Sequence, residues 1–200
     1  RDQPRSRGLG DVYKRQLYIF AVKDSALLDL VSRMPSNRGL WVHTSGSMDM
    51  EVFAPYTARY GVFYPMQTFS KERETDFDDI PIFVEANHTD DTERLQELAG
   101  RLSTKVYEAT SEQRKYLHLA AVFACNFTNH LYALCDRILS EHGLPFETML
   151  PLIRETAAKV ADMPPEQAQT GPAIRYDKNV IDKQMALLSD PVSYTHLTLP

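Results

Sequence analysis

Four short runs limit the fold more than any other feature of the chain: LYIFAVKD (17–24), GLWVHTSGS (39–47), YGVFYPMQTFS (60–70) and IPIFVEA (80–86). The first two begin almost continuously apolar and then break into charged or small polar residues. Strands buried on both faces read this way, because helices cover the sheet on either side. Between them lies SALLDLVSRM (25–34), where Leu27, Leu28 and Val31 recur at helical spacing behind Ser25, a candidate N-cap. Strand, helix, strand at this spacing predicts an α/β fold with a parallel sheet.

After Asn87 the character changes. DDTERLQELAGRLSTKV (90–106) sets Leu95, Leu98 and Leu102 on one face of an amphipathic helix. The segment 111–143 then has no Pro or Gly until Gly143, with Ser111, Glu112 and Gln113 favouring its start and Gly143 its end. As one helix it would be nearly 50 Å long at about 1.5 Å per residue. Further helices are expected over 146–162 and 179–190, separated by a Pro-rich loop. The expected architecture is α/β over residues 17–109, followed by an all-α domain over 110–190 built on the long helix.

The two ends do not continue these patterns. Asp11–Gln16 can be written GAT GTG TAT AAG AGA CAG, and the reverse complement of that string, read from its third base, encodes Val-Ser-Tyr-Thr-His, residues 192–196. The element resembles the transposon end used to build sequencing libraries. Residues 1–16 and 191–200 are therefore expected to be translated adapter and are set aside from fold reasoning.

The whole chain holds 22 Lys and Arg against 27 Asp and Glu. The first sixteen residues carry five of the basic and two of the acidic side chains, which leaves 17–190 with 17 basic and 25 acidic. An acidic chain with no basic stripe argues against nucleic acid or an anionic membrane as partner. No apolar run approaches the roughly 20 residues of a membrane span. Cys125 and Cys135 fall in one expected helix, about 15 Å apart by its rise, too far for a disulfide. A reduced, cytoplasmic protein is the reading these residues favour.

Chemistry-bearing residues gather in three places. At the end of the second strand, His43, Thr44, Ser45, Gly46 and Ser47 offer hydroxyls and permissive backbone where open α/β sheets bind ligands. A polar turn with Ser47 as N-cap explains the same residues equally well. In the long helix, His118, Cys125 and Asn129 project within about 20° of a common line, with Asn126 and His130 close by. Satisfied inter-helix hydrogen bonds are the alternative there. Cys125 reads as packing, and no His/Cys spacing fits a metal site. In QTGPAIRYD (169–177), Gln169, Thr170 and Arg175 could hold a polar substrate end; an Arg175–Asp177 surface pair, with Asp177 or Asn179 capping the last helix, is the plain reading. Gln67 and Thr68 sit in a comparable turn, and Glu155 and Lys159 read as an exposed helix pair.

AVKD, VHTSGS, GVFYPMQTFSK, IPIFVEA, RKYLHLAAVFACNFTNHLY, PLIRETAAKV and QTGPAIRYD occur in this order, and together they resemble a group of bacterial proteins labelled NADP oxidoreductases. These have a Rossmann-like N-terminal domain and a C-terminal helical domain of unassigned function. The resemblance spans essentially all of 17–190. More distantly the chain is similar to pyrroline-5-carboxylate reductase, deazaflavin-dependent NADP reductase and the 3-hydroxyacid dehydrogenases. The resemblance implies NADP as cofactor, with Ala21, Val22 and Lys23 joining His43–Ser47 on the cofactor side of the rear part of a Rossmann-like sheet. It implies a Gly-rich phosphate loop upstream of Leu17, so that the chain by itself is expected to be an inactive fragment. The helical domain is expected to border the active site and to form a homodimer.

Hydroxyacid dehydrogenases resembling this architecture place a Lys four residues before an Asn. Here Val122 and Cys125 stand four before Asn126 and Asn129, so that Lys is not carried over. His118 is the substitute acid/base, with Asn126 and Asn129 orienting a small carbonyl or imine substrate, and Gln67, Thr68, Gln169, Thr170 and Arg175 holding it. The rival expectation is a non-catalytic nucleotide-responsive or dimerisation module that keeps the fold without turnover.

Overall fold

The computed structural model of the chain describes residues 16–172 and 174–188. The terminal stretches set aside above lie outside these residues, Gln16 excepted. The chain divides into two compact units between Asn126 and Phe127. The division falls within the long helical segment rather than ahead of it.

The first unit is a five-stranded sheet in sequence order: β1 (Leu17–Phe20), β2 (Leu40–His43), β3 (Tyr60–Pro65), β4 (Ile82–Ala86) and β5 (Val106–Glu108). β1, β2 and β3 pair in parallel, as do β4 and β5, while β3 and β4 pair antiparallel. The expected parallel sheet is thus parallel in its majority, with one reversal. Its cause is local. A parallel return needs a crossover, normally a helix, and residues 66–81 between β3 and β4 form none. Gly61 opposes Ala86 in this pair, and a Cβ there would come within 2.1 Å of the Glu85 carbonyl oxygen, so the close approach requires glycine.

Strand alternation sorts side chains onto two faces. Leu40, Val42, Phe63, Ile82 and Val84 pack with Leu95 and Ala99 of α2 (Thr89–Gly100). Phe20, Trp41 and Tyr60 pack on the other face with Leu27 and Val31 of α1 (Asp24–Ser32) and with Phe53. Trp41 centres that side, meeting Phe20 at 5.4 Å and Phe53 at 6.0 Å between ring centroids. Both faces are covered over β2, which is why its run reads as a continuous apolar stretch; in β1, Phe20 is buried while Ile19 is exposed.

Several boundaries differ from the sequence expectation for identifiable reasons. α2 stops at Gly100, because buried Ser103 turns the chain by donating to the Ile80 carbonyl at 2.6 Å; the residues beyond form β5, which the sequence did not announce. α1 starts without a side-chain cap from Ser25. α3 (Ser111–Ala121) begins with a capping box of Thr110 and Gln113, one residue before the expected Ser111.

The 111–143 segment is helical, but not uniformly α. A π-helical stretch, Val122–Phe127, separates α3 from α4 (Thr128–Glu141). Its wider i→i+5 turns break the 100° periodicity that aligns His118 with Cys125 and Asn129 in an ideal helix. Within the second unit, α4 ends at Glu141, and Gly143, two residues on, takes a φ of 69°. Gly143 N–H bonds to the Ser140 carbonyl and Leu144 N–H to the Leu139 carbonyl, the paired closure of a Schellman motif. The unit continues through α5 (Leu150–Asp162), a short α6 (Pro165–Ala168) and α7 (Lys178–Ala186). Asp177 caps α7 by accepting from Val180 N–H, as one reading of that loop expects.

Candidate functional site

The site grows from one rung of the sheet. Phe20 pairs with His43, His43 with Val62, and Val62 with Glu85, so His43 and Glu85 rise from the same face. His43 is buried beneath Phe53, with ring centroids 5.6 Å apart. Its Nδ1 accepts from Ser45 N–H at 3.2 Å and its Nε2 meets the Asp49 carbonyl at 3.3 Å. Those roles define the neutral Nε2–H form. Burial first, and the Arg114 charge second, push its pKa down to about 4. The ring therefore holds the loop that follows β2.

The rest of that loop is held from two sides. Asp24, at the start of α1, accepts from Ser45 Oγ at 3.0 Å and from Ser47 Oγ at 2.5 Å. Ser45 Oγ in turn accepts from the N–H groups of Ser47 and Met48. Ser47 is therefore not a helix N-cap; Asp49 caps the following turn, Met50–Phe53, by accepting from Glu51 N–H. From the other side comes Arg114 of α3, which is completely buried. Its Nε donates to the Ser45 carbonyl at 3.1 Å, its Nη2 to the Met48 carbonyl, and its Nη1 to Glu85 at 2.9 Å. Ser111 adds two donors to the Glu85 carboxylate, from its N–H at 2.9 Å and its hydroxyl at 2.7 Å.

His118 lies one turn beyond Arg114 on the same helix and faces the same loop. A Cβ built on Gly46 would stand 2.7 Å from His118 Nδ1 and 2.9 Å from Tyr64 Cζ, so glycine alone lets the loop approach both rings. The Tyr64 hydroxyl is 3.4 Å from His118 Nδ1, with the two rings edge to face.

Of the residues singled out from sequence, His43, Ser45, Gly46, Ser47 and His118 meet here, across 75 positions of the chain. Thr44 continues the sheet ladder by donating to the Phe20 carbonyl. Ala21, Val22 and Lys23 form the exposed turn after β1. Asn126 is the penultimate residue of the π stretch and Asn129 lies in the first turn of α4, both exposed. Gln67 and Thr68 lie in the 66–81 loop, where Thr68 N–H donates to the Gln67 side chain. Gln169 and Thr170 follow α6 in the second unit; Arg175 precedes Tyr176, whose φ of 51° marks a tight turn.

Arg114, Glu85, Tyr64 and Asp24 are not among the residues singled out from sequence, and Ser111 enters there only as a helix start. The signal for Ser111 and Arg114 is a polar stripe, Ser111, Arg114 and His118 at i, i+3 and i+7 on one face of α3; Glu85, Tyr64 and Asp24 lie on other elements and share no such mark. Among the described residues no group of three or more His, Cys, Asp or Glu could hold a metal ion, and no helix is long and apolar enough to cross a membrane.

A parallel-dominated sheet followed by a helical region defines a Rossmann-like α/β protein with a C-terminal helical domain. The chain belongs to the family DUF2520, a domain of unknown function that matches residues 80–199. It is similar to a Bacteroides fragilis protein whose crystal structure is described as that of a putative NADP oxidoreductase, with 53% identity over 92% of this chain and 72% of that one, at a TM-score of 0.84. A Thermotoga maritima protein matches with 24% identity and a TM-score of 0.78, covering 92% of this chain and 76% of that one. The fold alone is shared with 1-pyrroline-5-carboxylate reductase from Streptococcus pyogenes: TM-score 0.54, 10% identity, 84% of this chain and 64% of that one. No curated protein matches the chain.

Proposed function

We propose that this chain is the greater part of an NADP-linked oxidoreductase that moves hydride between the nicotinamide and a small carbonyl or imine. The observation that carries the reading is the seat of His118 against Gly46, which sets an acid/base group beside a loop at the carboxyl end of a parallel strand. Ligands of open α/β sheets bind at such ends. The identity to the Bacteroides protein supports the same class.

The loop's chemistry suits an uncharged part of the cofactor. The Asp24 carboxylate lies against Ser45 and Ser47, and the Arg114 charge is already paired with Glu85. A phosphate would meet a negative charge there, whereas a ribose hydroxyl or the nicotinamide amide finds acceptors and backbone. NADPH, when bound, supplies the hydride. His118 exchanges the proton with the substrate oxygen or nitrogen, while Asn126 and Asn129 orient it and Gln67, Thr68, Gln169, Thr170 and Arg175 supply its polar contacts.

The same reading has the protein cytoplasmic and dimeric through its helical domain. Leu131, Ile138, Leu144, Leu152 and Val160 are all more than 40% exposed in the second unit, and a partner chain is the natural cover for that much apolar surface. The test of the function is NADPH oxidation by a polypeptide of the Bacteroides relative's length, screened against small aldehydes, ketones, 2-oxo acids and cyclic imines. Turnover of one class, abolished by His118→Ala, is the expected result; no oxidation with any class would favour a nucleotide-responsive module without turnover.

A further inference from the structure

Tyr64 has no assigned role, yet it is the group that meets the imidazole of His118. It rises from β3 on the same sheet face as Val62, which is why its ring comes level with the loop after β2. The ring is fixed on its far side by Phe83, 6.4 Å away, itself stacked on Tyr107 at 5.5 Å. Gly46, by lacking a side chain, leaves room for both rings on one side of the loop. The loop cannot drift away, because Arg114 holds its Ser45 and Met48 carbonyls. His118 therefore sits in a rigid seat of three elements: a strand, a clamped loop and a helix.

We propose that Tyr64 is the positioning residue for His118: its phenolic oxygen accepts Nδ1–H, leaving Nε2 as the nitrogen that exchanges a proton. This rests on the reading of His118 as the acid/base group. The imidazolium carries a hydrogen on both nitrogens, so a partner at Nδ1 has to accept. If the contact is to survive loss of the Nε2 proton, Nδ1 keeps its hydrogen, and Tyr64 serves both protonation states in one geometry. In the reducing direction hydride adds to the carbonyl or imine carbon, the π electrons move to oxygen or nitrogen, and the Nε2–H bond gives its proton there. His118 is left neutral, with its hydrogen on Nδ1. Burial raises the Tyr64 pKa, so the phenol stays uncharged and does not compete for the proton near neutrality. The separation of 3.4 Å is long for a hydrogen bond, as acid/base contacts commonly are before substrate closes the site.

The test reads the tautomer directly and needs no substrate. Imidazole proton–nitrogen correlation spectra of the 200-residue chain, with the His118 signals assigned from a His118→Gln variant, report which nitrogen carries the hydrogen when the ring is neutral. The expected result is an Nδ1–H ring in the wild type that reverts to the Nε2–H form favoured by imidazole in water in Tyr64→Phe, a change that keeps the Phe83 contact. An Nε2–H ring in the wild type, or a tautomer unmoved by Tyr64→Phe, overturns the proposal. The acid/base reading fails separately: an Nδ1–H ring that responds to Tyr64→Phe, with turnover unaffected by His118→Ala, would uphold the pairing and remove the proton transfer.

Discussion

Arg114 and Glu85 form an ion pair at 2.9 Å with the arginine wholly buried, joining the first turn of α3 to the end of β4. The pair is surrounded by its own hydrogen bonds. Glu85 also accepts from Ser111, and Arg114 also donates to two loop carbonyls. A buried charge supported in this way is costly to orphan and cheaper to remove with its partner.

Arg114→Met should therefore destabilise the protein by about 3–5 kcal/mol, the usual scale for breaking a buried pair. The double variant Arg114→Met/Glu85→Gln should cost less than the sum of the two single changes, because neither partner is left as an unpaired charge. Urea unfolding of the four proteins checks this. Additive losses would mean that the contact carries no coupling.

His43 makes stability depend on pH in a defined direction. Its folded pKa of about 4 lies below the ordinary 6.5, so between those values the unfolded chain binds the extra proton. Stability is then complete above about pH 6.5 and falls as pH drops towards 4, by on the order of 3 kcal/mol from this one group. Denaturation midpoints at pH 7.5 and pH 5 should differ less in His43→Gln than in the wild type. An equal difference in the two proteins would assign the pH dependence to other groups.

His118 and Asn126 are both exposed, so neither holds the core together. Replacing either with Ala should lower turnover by roughly 10²-fold or more while leaving the melting temperature nearly unchanged. Large stability losses with unchanged turnover would make their role structural.

The sheet was largely legible because hydrophobic runs report burial, and LWVH of β2 is buried on both faces, whereas LYIF of β1 buries Phe20 and leaves Ile19 exposed. The antiparallel turn of β4 was not legible, since a run such as IPIFVEA carries no mark of direction. β5 was missed because three residues, Val106 to Glu108, are too few to show alternation. Half of the candidate site was visible as the small polar residues of VHTSGS. Its other half was hidden by the usual expectation that a helix buries its apolar stripe. α3 instead buries Ser111 and Arg114, while Tyr116 and Leu119 remain exposed. Only the fold brings Glu85 to that stripe.

The exposed apolar residues of the second unit predict a dimer at micromolar concentration by light scattering. Leu131→Glu together with Leu152→Glu should shift it towards monomer without changing the helical circular dichroism. A wild-type monomer would show that this surface has another purpose.

If the His43–Ser47 loop lines a dinucleotide site, NADPH binds there, and a fluorescence titration with NADPH reads that binding. The polypeptide should have the length of the Bacteroides relative, in wild-type form and as Ser47→Tyr, an exposed position where bulk obstructs the loop without entering the core. Saturable binding in the wild type, weakened by about ten-fold or more in the variant, a difference of about 1.4 kcal/mol, is the predicted result. No saturable binding, or equal affinity in both proteins, would contradict it.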